Sequence, residues 1–141
     1  MGKQIKAKFL KGLPALAKLR KACRAMSEEG FITALDGRRL PIRKAHAALN
    51  TLLQSAGALT CKMWIVLFDQ MMQEAGYVWG VDYAMMATIH DEVQLGCRNL
   101  AIAEHAKELG ALAATKAGEF FEFKCRLDGD GKIGKNWAEC H

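Results

Sequence analysis

The sequence predicts an α+β fold in which a small antiparallel sheet packs on long helices, preceded by a basic helical segment. Three observations carry that expectation. Two apolar, strand-like runs, Tyr83 to Ile89 and Val93 to Cys97, flank an acidic pair and read as a β-hairpin. From Lys44 to about Glu74 there is no proline and only one glycine, which reads as a single helix about 45 Å long. Residues 1–44 carry twelve Lys/Arg against three acids, net +9, whereas residues 45–141 carry eight against twelve, net −4.

Taken in chain order, Ile5 to Leu10 and Ala15 to Met26 read as helices, with Pro14 where a helix can begin. Leu13, Leu16, Ala17 and Leu19 fall near helical spacing. Phe31 to Leu35 reads as a short strand, turned by Asp36-Gly37 into Arg38 to Ile42; Asp-Gly between extended runs is the strongest short hairpin signal. In the long helix Asn50 and Gln54 are the polar exceptions, four apart on one face, with Gly57 and Cys61 continuing the stripe. Burying their amides is costly, so either neighbouring backbone or a ligand should hydrogen-bond to them. Asn99 to Lys116 reads as a third helix with Asn99 as N-cap. Phe121 to Leu127 alternates apolar and charged residues like a half-buried strand, and Asp128 to His141 reads as loop.

The hairpin tip is the most informative stretch. The two residues expected at the turn, Asp91 and Glu92, are both acids, whereas two-residue loops favour Asn-Gly, Asp-Gly or Gly-X because they need positive φ. Turn chemistry therefore does not account for them. Adjacent carboxylates on a stiff hairpin suit a hard divalent cation such as Mg²⁺. A solvated acidic turn is the competing reading of the pair alone.

Composition removes several classes. Five cysteines, odd in number and without C-x-x-C, point to free thiols in a reducing compartment, not to a disulfide scaffold or zinc site. The basic N-terminal region lacks the apolar stretch of a secretory signal. The densest apolar stretch, Met63 to Phe68, is too short to span a bilayer, so no membrane partner is expected. The +9 segment suggests a polyanion partner. Gly129 to Gly134 spells G-x-G-x-x-G but lacks the helix and second strand of a dinucleotide site. Asp128 to Glu139 imitates a calcium loop, with Ile133 where that loop needs glycine.

Four stretches in order resemble the C-terminal end of family A DNA polymerases, most closely the replicative branch of short-tailed bacteriophages. They are Leu35-Asp36-Gly37-Arg38-Arg39, Ala47 to Ala58, His90-Asp91-Glu92-Val93-Gln94, and Asn136 to His141. The resemblance runs from about Phe9 to the last residue. It implies that residues 1–44 are the basic helical end of the fingers with its Asp-Gly hairpin, and residues 45–141 the distal palm. His90-Asp91-Glu92 would be the family's motif C, with Asp91 the metal-ligating carboxylate of a two-Mg²⁺ site, Glu92 its supporting acid, and His90 against the primer terminus. Asn50 and Gln54 would offer amide donors to minor-groove acceptors, which lie at similar places for either orientation of an A·T pair. Arg38, Arg39, Arg43 and His46 would contact phosphate or the minor groove.

The resemblance also implies what must be added. The other catalytic aspartate, motif A, and the fingers helix that grips the incoming deoxynucleoside triphosphate have no counterpart before residue 90. The expectation is a segment of a DNA-directed DNA polymerase that binds primer-template DNA, is inactive alone, and needs a complementing fragment, through a split gene or a truncation. It would work in the cytoplasm of a bacterial host, encoded by a phage or prophage. The alternative is a non-catalytic, sequence-independent DNA-binding module derived from a polymerase palm.

Overall fold

The computed structural model describes residues 2–140, the side chains of residues 3, 6 and 7 excepted; His141, the last residue of the terminal stretch above, lies outside them. The chain divides into two compact units, Met1–Ala56 and Gly57–His141. The expected mixture of helices and small antiparallel sheets is what forms, as two separate two-stranded sheets.

In the first unit, α1 (Gly2–Gly12) is followed by α2 (Pro14–Met26), with Pro14 in its first turn. There its fixed φ suits the helix and its missing N–H leaves no bond unmade. A 3₁₀ turn (Ser27–Glu29) ends at Gly30, whose φ of +83° reverses the chain. Strands β1 (Phe31–Thr33) and β2 (Arg39–Pro41) pair antiparallel in the register Phe31 to Pro41, Ile32 to Leu40 and Thr33 to Arg39. The strands are shorter than their apolar runs, because Ala34 N donates to Arg38 O at 2.9 Å and Gly37 N to Ala34 O at 3.0 Å, making the intervening residues a turn. Ile32 is fully buried with Cys23 and Ala48, packed by Met26, Leu40, Ile42, Leu49 and Leu52.

Helix α3 (Ala48–Glu74) begins later than Lys44, after a 3₁₀ turn at Ala45–Ala47 that follows an extended Lys44. Its end is a Schellman cap: Gly76 at φ +87° donates to Gln73 O at 2.9 Å, and Tyr77 N to Met72 O at 3.1 Å. By length and composition the helical stretch Ala45–Glu74 could cross a membrane, which corrects the limit drawn from Met63 to Phe68. Phe68 and Met72 are buried in a core shared with β-strands and another helix, while most of the helix's apolar window is not buried.

In the second unit, β3 (Tyr83–Ile89) and β4 (Glu92–Cys97) form the hairpin, and α4 (Leu100–Phe120) follows. The Asn99 side chain accepts from Ile102 N at 3.0 Å, the expected N-cap. Phe68 and Met72 from α3, Tyr83 from β3, and Ile102, Ala106 and Ala113 from α4 make the core. The ladder has a bulge between Met85 and Ala87, which leaves Met86 unpaired and 71% exposed.

Phe121 to Leu127 is not a strand. Helix α4 continues four residues past Lys116, and Phe123 N then closes onto Gly118 O at 2.9 Å with Glu122 at φ +54°. Thr115 Oγ1 donates to Leu127 O at 2.8 Å, and a Cβ on Gly118 would lie 2.9 Å from Leu127 Cγ. The segment is thus laid along a helix, with no strand beside it to pair with among the described residues. Past it, α5 (Trp137–Cys140) is one turn, capped where Glu139 accepts from Lys135 N at 2.8 Å and from Asn136 Nδ2 at 2.9 Å.

Candidate metal centre and nucleic-acid surface

The hairpin register decides what the tip presents. Ile89 pairs with Glu92, so the two turn residues are His90 and Asp91, and Glu92 is the first residue of β4. This corrects the expected Asp91-Glu92 turn. The positive φ that a two-residue loop requires falls on His90, at +55°, and histidine is among the non-glycine residues enriched there. The acids therefore need not adopt it. Asp91 is exposed at the tip, while Glu92 is half-buried in the ladder.

Glu92 is held by a neighbour. Residues two apart on a strand share a face, and on that face the Gln94 side-chain amide donates from Nε2 to Glu92 Oε1. Gln94 sits opposite Ala87, whose small side chain leaves it room. The two carboxylates therefore differ in character: one is open to solvent, the other is fixed by an amide. Gln94 lies within the His90 to Gln94 stretch but had no expected role there; its position two residues from an acid on one strand is the sequence signal for it.

Asp91, Glu92 and Gln94 line one side of a cleft of about 880 Å³. Trp64 lines it from α3, where its indole N–H donates to Gly110 O at 2.8 Å and ties α3 to α4. The tail from Gly129 to Lys135 lines the cleft too, another feature that sequence reading missed. A Cβ on Gly131 would lie 2.9 Å from Lys107 Cγ, so that glycine lets the tail lie close on α4, a packing reason for part of the G-x-G-x-x-G pattern. Cys61, also on α3, has its thiol pushed up first by burial and then by the negative charge of Asp91, which puts the thiol within electrostatic reach of the tip.

The donor set fits Mg²⁺. That ion takes oxygen ligands and is commonly held by one or two carboxylates, with waters and substrate phosphates filling the remaining positions. Asp91 and Glu92 offer such oxygens, while no cluster of three or more His, Cys, Asp or Glu occurs among the described residues. The pair would hold a metal that other ligands complete.

The remaining candidates, Arg38, Arg39, Arg43, His46, Asn50 and Gln54, belong to the first unit and are all exposed. Arg38 Nε donates to Asp36 Oδ2 at 2.6 Å, and the Arg39 guanidinium stacks over the Phe31 ring at 4.5 Å. Both arginines are oriented without being buried. A surface ion pair contributes about 1 kcal/mol or less, so a phosphate could displace Asp36 from Arg38. Asn50 and Gln54 do not carry the burial cost expected of them; their amides face solvent on α3.

The comparisons with known proteins agree on one family. The model of DNA polymerase family A matches residues 1–139. The chain is 44% identical to the DNA-directed DNA polymerase of Enterobacteria phage T3 across 99% of its own length and 22% of that protein's. The corresponding enzyme of Escherichia phage T7 is 43% identical over the same shares. The chain thus spans 22% of the length of both relatives. Its fold matches the POL domain of Pol1 from M. smegmatis, solved in complex with DNA primer-template and dNTP, with a TM-score of 0.66 over 82% of this chain and 22% of that one, at 18% identity. On the extent of the family match and the identity to both phage enzymes, the chain belongs to DNA polymerase family A.

Proposed function

We propose that the chain serves as the distal part of a DNA-directed DNA polymerase, a nucleotidyltransferase that extends a primer 3′ end on a template during DNA replication. Residues 1–44 would be the end of the fingers, and residues 45–141 the distal palm. The observation that carries the reading is the hairpin tip, where exposed Asp91 stands beside a Glu92 fixed by Gln94. Asp91 is the metal ligand and Glu92 its support. When bound, Mg²⁺ supplies charge neutralisation at the attacking and leaving oxygens of phosphoryl transfer. The hairpin contributes rigidity, since ligands held by a paired ladder need little reorganisation as the reaction proceeds. His90, at the tip, rests against the primer terminus. Arg38, Arg39, Arg43 and His46 hold phosphates, and Asn50 and Gln54 donate to minor-groove acceptors.

A motif A aspartate and a nucleotide-binding helix must complete this site, and a complementing polymerase fragment is the partner that would supply them. The polymerase would act in the bacterial cytoplasm on behalf of a phage or prophage. The test is primer extension by the 141-residue chain, alone and mixed with the preceding part of a phage polymerase. Synthesis should appear only in the mixture, and Asp91→Ala should abolish it. Extension by the chain alone, or unchanged synthesis with Asp91→Ala, would overturn the assignment. A chain that binds duplex DNA yet never restores synthesis is the non-catalytic module instead.

A further inference from the structure

The hydrogen bond on the β4 face points to a further residue of the metal site: we infer that Gln94 is a positioning residue that fixes the Glu92 carboxylate and leaves Asp91 as the direct metal ligand. The inference rests on the proposal that Asp91 ligates the ion with Glu92 as its support.

In β4 the next residue on the face of Glu92 is Gln94, two positions on. Both are half-buried, both lie on one face of β4, and both line the cleft that Asp91 enters. The pairs Ala87 to Gln94, Thr88 to Val93 and Ile89 to Glu92 form an unbroken ladder from the bulge to the tip, so the backbone beneath the two side chains is fixed. Within that frame the amide N–H of Gln94 meets Glu92 Oε1. A glutamate side chain has three rotatable bonds and loses entropy when it is held in one place. An amide already holding it keeps the carboxylate beside Asp91 in place before any metal arrives, and outer-shell groups around a metal typically affect its affinity 10–100-fold. Asp91 has one fewer bond to order and sits at the solvent-exposed tip. The geometry divides the labour: the shorter acid reaches the ion, and the longer one is held still beside it.

The test is Tb³⁺ binding to the whole 141-residue chain, with Tb³⁺ as a hard-cation probe and its emission sensitised by Trp64, which lines the same cleft. Wild type should give saturable sensitised emission that Asp91→Asn removes. Gln94→Met, which keeps the length and deletes the donor, should weaken binding about 10-fold. In a Glu92→Gln background the same change should have no further effect, because residues acting through one another are non-additive. Far-UV circular dichroism and urea midpoints of each variant separate misfolding from loss of the ligand. Emission that is absent in wild type or unaffected by Asp91→Asn would remove the metal assignment, and the role of Gln94 with it. Loss with Asp91→Asn but unchanged binding by Gln94→Met would overturn the role of Gln94 alone. An equal effect of Gln94→Met in both backgrounds would mean that it acts on the hairpin generally and not through Glu92.

Discussion

Tyr83 offers a stability measurement with its own internal control. Its ring is 2% exposed, and its hydroxyl donates to Asp69 Oδ1 at 2.6 Å. Burial first, then the hydrogen bond and charge of Asp69, push the phenol from 10 up to about 12, with Gln73 acting the other way. The folded state therefore favours the protonated phenol. Below pH 10 that preference contributes fully to stability, and it is lost as pH rises from 10 through about 12. A rise of two units at about 1.4 kcal/mol each gives a loss on the order of 2.7 kcal/mol across that window. Tyr83→Phe keeps the ring and deletes the titration. Near neutral pH it should cost about 1.5–3 kcal/mol, since the lost bond went to a charged acceptor. The assay is urea unfolding at steps from pH 8 to 12, comparing free energies of wild type and variant. Cys23, Cys61 and Cys97, whose thiols burial also pushes up, destabilise both proteins alike in alkali, so the difference isolates Tyr83. The gap between wild type and variant should close above pH 10. Parallel curves to pH 12 would refute the argument, showing that the hydroxyl is not held protonated by the fold.

DNA binding should be sequence-independent and fall steeply with salt, as expected of phosphate contacts that release counterions. Arg38→Ala and Arg39→Ala should each flatten the logarithmic salt slope by about one, measured by fluorescence anisotropy on duplexes of different sequence; a strong preference for one sequence would contradict this. The isolated chain should self-associate in sedimentation velocity, because beyond an isolated Trp79–Tyr83 bridge no further strand pairs with either edge of β3–β4 among the described residues, and Leu53, Val66, Val78, Trp79 and Leu100 are exposed. A concentration-independent monomer with a cooperative melt would count against that expectation.

Features that local chemistry specifies were legible in the sequence. Asn99 caps α4 because its side chain needs only an N–H three residues on, and the Tyr83–Ile89 strand has the bounds that its apolar run suggests. Pro14 and Gly37 mark their turns for equally local reasons. Long-range contacts were not legible. Phe121 to Leu127 has the alternation of a strand, but Thr115 and Gly118 capture it from twelve and nine residues before Leu127, and no periodicity reports such a capture. The turn at the tip was displaced by one residue because positive φ on His90 is an uncommon choice that the ladder imposes. For the candidate site, the acids were visible as an unusual pair and their proposed roles came from family resemblance. The partner that braces Glu92 and the tail that walls the cleft became visible only in three dimensions.

The bulge at Met86 gives the two strands of this hairpin unequal tolerance of a change in length, which side-chain swaps do not probe. Because strand residues alternate faces, a slip of one position would turn Glu92 and Gln94 from the cleft to the opposite side. The extra residue lies between the Met85–Leu95 and Ala87–Gln94 pairs, outside the ladder. Deleting Met86 would join those pairs into a regular ladder with every partner kept. Deleting Val93 from β4 would instead make Glu92 and Gln94 sequence neighbours and send their side chains to opposite faces. Length is what β4 has to preserve, while β3 carries a residue to spare.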